Sequence, residues 1–221
     1  MELRLLDARR CRARFTEFLR QQTRVYRSER YADLVDHAQE PGALIHFIEA
    51  HIDGKRVGGI RLQAGGRQRR LPSEQHLGPH GTRFGAAVRG CAGGGRYAEL
   101  CGTWLEPTER SSGAAWVIAL AGFAAAGSLG FKAIGGSAPT GGLVRLYEAC
   151  GCRFEEGVLP DVPKRGLRTQ WMANRVADVF DRQPNTRAVL AMMAADFRMR
   201  GAFTANVDQL RRDLKSEDRR R

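Results

Sequence analysis

The run Ala114–Ala126, AAWVIALAGFAAA, is the longest apolar stretch of the chain. A bilayer takes about 20 apolar residues to span, so this run is too short. No basic n-region at the chain start accompanies it, so it does not read as a signal peptide. A helix that is apolar all round belongs in a core, and the sequence therefore predicts a buried helix over Gly113–Leu129. The residues in front of it constrain the fold further. In YAELCGTWLEPTERSSGAA, Tyr97–Ala115, a short apolar strand leads through a polar turn into the helix start. Such a start presents unpaired backbone N–H groups and the positive end of the macrodipole, which can hold a phosphate. Gly113 and Ala114 leave no bulk over those donors, Ser111 and Ser112 can cap the helix, and Arg110 adds a charge at its edge.

Elsewhere the pattern alternates between helix and strand. Leu5–Leu19 has apolar residues near helical spacing and reads as a surface helix, and Ser28–His37 as a second helix with Ser28 as N-cap. Ala43–Ile52 and Arg56–Gln63 read as strands joined by Asp53-Gly54, a strong hairpin signal. Ala64–Arg96 is rich in Gly and Arg with little periodicity, and reads as a long functional or mobile loop with room for a short helix. Phe131–Ser137 is a small-residue strand and Thr169–Asn174 a plausible last strand. Thr186–Arg200 and Asn206–Leu214 look helical, and the charged end DLKSEDRRR is expected to fray.

At 221 residues the chain fits one domain, 1–175, with a helical extension and basic tail over 176–221. The formal net charge is +12, and only Lys55, Lys132, Lys164 and Lys215 are lysines among 36 basic residues. That field would attract nucleic acid, anionic lipid or an acidic partner, but the arginines are scattered rather than gathered on one helix face. The five cysteines are odd in number and form no C-x-x-C, which fits a reducing cytosol and a cytoplasmic location. His76, His80 and Cys91 are too dispersed to argue for a metal.

Three segments together resemble a known family. R-x-x-G-x-A at Arg110, Gly113 and Ala115 is similar to the acyl-CoA pyrophosphate turn of the GNAT (Gcn5-related N-acetyltransferase) superfamily. Glu99 lies eleven residues upstream, an interval at which many members carry a general base. LVRLYEACGCRFEE, Leu143–Glu156, resembles the closing motif through Tyr147, Gly151 and Phe154. Strand, turn, helix, strand, helix and strand follow in order over Tyr97–Phe154, and the likeness extends more loosely from about Thr16 to Trp171. The implied fold is α+β: a mixed, mostly antiparallel sheet flanked by helices, with a C-terminal helical extension.

The resemblance implies attack of an amine on a thioester of acetyl-CoA or another acyl-CoA, without a metal. Glu99 would be the base, since a carboxylate in a half-apolar cleft has its pKa raised. Tyr147 would be the acid that protonates the leaving thiolate. Backbone of Gly102, Thr103, Trp104 and Leu105 would supply the oxyanion donor and pair with the pantetheine arm; Gly102 within a strand suggests a bulge. Ser111, Ser112, Gly113, Ala114 and Ala115, with Arg110, would hold the pyrophosphate. Cys101 reads as core rather than nucleophile.

A looser likeness, through Arg24-Val25-Tyr26, Gly58–Leu62, Leu71–Glu74 and Glu99, is to autoinducer (acyl-homoserine lactone) and N-acyl amino acid synthases, which usually take the acyl group from acyl carrier protein. Their E-x-S-R strand reads Glu99-Leu100-Cys101-Gly102 here, so the serine and arginine are missing. The expected partners are therefore a small-molecule amine and either acyl-CoA or acyl carrier protein. Arg24, Arg61 and Arg83 are candidates for holding a substrate carboxylate. A non-catalytic basic binding module ranks last, because no helix-turn-helix, zinc finger or RNA-binding motif is present. Monomer and homodimer both remain open.

Overall fold

Asp53 and Gly54 both take positive φ, 49° and 75°, the geometry that a two-residue hairpin turn needs to match strand twist. In a computed structural model, which describes residues 1–28, 44–66, 69–110, 113–139, 141–155, 169–182 and 184–210, this hairpin is the middle of a seven-stranded sheet. The chain begins with β1 (Glu2–Asp7) and α1 (Arg12–Ser28), then makes the hairpin from β2 (Ile45–Ile52) and β3 (Lys55–Ala64). Two helices follow, α2 (Pro72–His76) and α3 (Gly81–Ala92), before β4 (Tyr97–Leu105), α4 (Ala114–Ser128), β5 (Ala133–Pro139) and α5 (Gly142–Ala149). The remainder is β6 (Thr169–Arg175), α6 (Val176–Arg182), α7 (Pro184–Arg200) and the short β7 (Ala202–Thr204). The sheet order is β6-β5-β4-β3-β2-β1-β7. Only β4 and β5 run parallel; every other neighbouring pair is antiparallel. The mixed, mostly antiparallel α+β architecture expected from the sequence is therefore the one observed.

Strand alternation sorts residues onto two faces. Ile48, Ile60, Leu62, Leu100, Ile134 and Met172 pack with α4, whose residues Val117–Ala126 are all buried. The outer side of α4 is covered by α5, α6 and α7. On the opposite face, Phe18 of α1 sits on Phe47 and Trp104, with ring centroids 5.2 and 5.6 Å apart. Phe84 and Val88 of α3 pack there on Ala133 and Trp171. Gly59 is the point of closest approach under α1. A Cβ at Gly59 would overlap the Ile48 carbonyl oxygen and the Phe18 ring. The carbonyl belongs to a paired strand and cannot yield, so Gly59→Ala is expected to cost about 2 kcal/mol or more, read as a lower urea midpoint at unchanged slope.

Several sequence expectations need correction. The surface helix over Leu5–Leu19 is instead β1 followed by α1, because Leu3 is buried between β2 and β7 and the helix starts only at Arg12. Ser28 does not cap a second helix. It ends α1, whose buried stripe Phe18, Leu19, Gln22, Val25 carries the helix on, and its Oγ donates to the Val25 carbonyl at 2.6 Å. The rest of that expected helix, 29–37, lies outside the described residues. Ala64–Arg96 is not one loop but contains α2 and α3. Its glycines serve close packing: a Cβ at Gly81 or Gly85 would strike Glu74 of α2. Thr169–Asn174 is a strand but not the last, since β7 returns to pair with β1. Among the described residues no helix is long and apolar enough to cross a membrane.

Candidate active site

The parallel pairing of β4 with β5 lasts only from Tyr97↔Ala133 to Glu99↔Gly135. Beyond it β4 is bent by a register shift against β3, with Gly59 opposite Trp104 but Arg61 opposite Cys101. Gly102, at φ 63°, takes up the extra residue, as a bulge requires. Gln22 of α1 donates to the Gly102 carbonyl, and Tyr26 Oη donates to the Thr103 carbonyl at 2.7 Å, fixing the bend. The two strands part, and a cleft of about 580 Å³ opens between β4, the end of β5, α5 and the helices above the sheet.

Glu99 lies at the point of parting. Leu100 enters the α4 core, so its neighbour Glu99 points to the other face, where it is 2% exposed. Its Oε2 accepts the Ser73 backbone N–H at 2.9 Å and its Oε1 the Ser73 hydroxyl at 2.6 Å. Ser73 is the second residue of α2, where the backbone N–H has no partner within the helix. The Ser73 Oγ is also 2.8 Å from Ser137 Oγ on β5, which is exposed. Burial pushes the Glu99 carboxyl up to about 7, against the opposing hydrogen bonds from Ser73. A carboxyl of this kind exchanges a proton near neutral pH.

Tyr147 projects from α5 into the same cleft. Its ring stacks edge-on to Phe123, centroids 6.0 Å apart, and its hydroxyl lies 2.6 Å from Thr103 Oγ1. Burial raises the phenol well above its usual value, so it stays protonated. Cys101 also lines the cleft, and burial pushes its thiol up to about 11, which leaves it a poor nucleophile at neutral pH. A second cavity of about 690 Å³ is lined by Arg69, Arg70, Glu74 and Arg89. It holds neither the buried carboxyl nor the phenol, so we place the site in the cleft at Glu99.

No family model matches the sequence, and no curated protein matches it. Solved structures do. The N-acyl amino acid synthase FeeM from uncultured soil microbes aligns at a TM-score of 0.54 and 14% identity, over 82% of this chain and 94% of that one. The fold is GNAT-like. A CoA-dependent acyl-homoserine lactone synthase, MesI, aligns at 0.49 and 20% identity, over 84% and 94% of the two chains. An acyl-CoA N-acyltransferase from Pseudomonas aeruginosa aligns at 0.48 and 17%, over 71% and 87%. At these identities the likeness is one of fold.

Within this GNAT-like sheet, the residues expected from sequence separate into two groups. Glu99, Gly102, Thr103, Trp104, Leu105, Arg110, Ala115, Tyr147 and Arg61 all line the one cleft. Trp104 and Leu105 also pair with β3, whereas Gly102 and Thr103 fall in the register shift. Gly113 caps α4 at φ 83°, accepting from the N–H groups of Trp116 and Val117, and Ala114 is buried behind it. Ser111 and Ser112 lie outside the described residues. Arg24 and Arg83 do not reach the cleft. Arg24 pairs with Glu106 at the surface, and Arg83 lies over Trp171, 5.9 Å from the ring centre, and 4.0 Å from Glu155. Sequence reasoning names Ser73 within the Leu71–Glu74 likeness and Ser137 at the end of a strand, but gives neither a role beside Glu99. Pro72 at the first helical position is the available signal for a helix start at Ser73, but nothing local says that this start meets Glu99. Among the described residues no group of three metal-binding side chains occurs.

Proposed function

We propose that the protein is an N-acyltransferase that moves an acyl group from an acyl-CoA thioester to a small-molecule amine by direct attack in a ternary complex. The observation that carries this reading is Glu99, a carboxyl titrating near 7 where β4 and β5 part, in one cleft with the Tyr147 phenol. The donor supplies an activated acyl carbonyl. Arg110 and Ala115, which line the cleft beside the Gly113 turn, suit its diphosphate, and the bulged backbone at Gly102 and Thr103 suits its extended arm. The amine nitrogen forms the new C–N bond as the C–S bond breaks. Its proton passes to Glu99, directly or along the Ser137 and Ser73 hydroxyls. Tyr147 gives its proton to the departing sulfur and is reprotonated from solvent.

Thermal-shift titration with CoA, acetyl-CoA and decanoyl-CoA tests the reading. Binding at 100 times Kd stabilises by about 2.7 kcal/mol, a rise of several degrees; no rise with any of them overturns acyl-CoA use. Tyr147→Phe keeps the ring contact with Phe123 and removes only the acid. It is expected to lower kcat about 100-fold or more with KM unchanged, and the deficit shrinks with thioesters of more acidic thiols.

A second reading rests on the +12 charge and on the likeness to the N-acyl amino acid synthase: the donor is an acyl carrier protein, whose acidic surface such a field would steer. Activity with acyl carrier protein but not acyl-CoA, falling with added salt, selects it. The absence of a disulfide among the five cysteines supports a cytoplasmic setting.

A further inference from the structure

The cleft holds a cation that the mechanism above leaves unused. Arg61 of β3 is 2% exposed and lines the cleft, yet its Nε and Nη1 have no hydrogen-bond partner among the described residues. Burying guanidinium N–H groups without partners is costly, and an anion meeting them would offset that cost. The register gives its place. Arg61 stands opposite Cys101, and Gln63 opposite Glu99, so Arg61 and Glu99 are diagonal neighbours on one face of an antiparallel pair. Diagonal neighbours lie about 7–8 Å apart at the backbone, within reach of long side chains. A second buried donor without a partner, the indole Nε1 of Trp104, lines the same cleft. Arg61 Nε and Nη1 make no hydrogen bond to Glu99, although the guanidinium charge favours the carboxylate form of Glu99 through space.

Arg61 lies on the Glu99 face of the sheet, its guanidinium against Gly102. Ala115 of α4 and Tyr147 of α5 come from the face that α4 covers. An anion on Arg61 is therefore on the acceptor rather than the donor, and it sits a short span from the base that takes the amine proton. We propose that the acceptor is an amine bearing a carboxylate close to its nitrogen, an α-amino acid, and that Arg61 binds that carboxylate. The guanidinium fork matches a planar carboxylate in two parallel hydrogen bonds, and the one-carbon separation of amine and carboxylate suits a neighbouring anchor and base. The assignment rests on the acyltransferase reading.

The test compares acids with the amines left by their decarboxylation: phenylalanine with phenethylamine, tyrosine with tyramine, leucine with isopentylamine. Full-length protein is supplied with acetyl-CoA, decanoyl-CoA or decanoyl acyl carrier protein, and N-acyl products are measured by mass spectrometry. The expected result is at least one acid preferred over its amine by 100-fold or more in kcat/KM. In Arg61→Met that ratio falls towards one through a higher KM for the acid, read at pH 9, where Glu99 stays ionised although it has lost a cation that favours its charged form. Arg61→Lys recovers part of the preference. Because methionine removes buried Nε and Nη1 groups without partners, Arg61→Met melts no lower than the parent at pH 5, where Glu99 is protonated, whereas a purely structural Arg61 would make it melt lower. Amines used as well as acids, no acid used at all, or an unchanged KM in Arg61→Met overturns the anchor. Acylation of amines alone would leave the acyltransferase standing without it; if no donor stabilises the protein and neither class is acylated, the enzyme reading falls as well.

Discussion

Glu99→Gln is expected to lower kcat/KM by about 10²- to 10⁴-fold, the usual loss when a general base is removed. The pH profile carries the sharper information. The parent should gain activity as pH rises through about 7, where Glu99 loses its proton, and level off above. The glutamine variant should lose that inflection. Stability moves the opposite way. The native carboxyl titrates near 7 and the unfolded one near 4.5, so between these values the native state holds a proton that the unfolded state has released. The Glu99 contribution to stability is therefore greatest below about 4.5 and falls as pH rises to about 7, by about 3 kcal/mol in all. Glutamine has no such titration. Denaturation at pH 4.5 and pH 8 should show the variant gaining about that much on the parent. A variant that stays inactive but keeps the parent's pH inflection would place the base elsewhere.

Gly113→Glu should weaken CoA binding by at least 100-fold. Gly113 caps α4 at φ 83°, in the left-handed region where any side chain is strained by about 1–2 kcal/mol. Glutamate adds an anion at the helix start that we assign to the diphosphate. Gly113→Ala carries the strain without the charge and is expected to lose less than 10-fold, so the ratio of the two variants isolates the electrostatic part. Isothermal titration with CoA measures both. Equal affinity in the glutamate variant and the parent would remove the diphosphate from this turn.

What was legible in the sequence was local. The run in α4, the Asp53-Gly54 turn and the strand-to-helix order around β4 follow from period and turn chemistry within a few residues, whereas the expectation that Glu99 and Tyr147 share one cleft comes from the resemblance to the GNAT superfamily. What was hidden depended on distant partners. The three residues of β7 pair with β1 some 200 positions away and carry no pattern of their own. The glycines of 64–96 resembled loop composition, yet Gly81 and Gly85 let α3 rest on Glu74. Ser73 meets Glu99 across 26 residues. Among the arginines, composition could not separate Arg61 from Arg24 and Arg83. The difference lies in register: Arg61 is turned inward opposite Cys101, while the other two find carboxylates or a ring at the surface.

The enclosure of Val117–Ala126 makes the middle of α4 the last segment able to open. With the sheet on one side and α7 on the other, the backbone amides of these residues should exchange with deuterium only when the whole molecule unfolds. Their protection thus measures global stability directly, and a chain cut after Arg175 should aggregate rather than leave a working catalytic half.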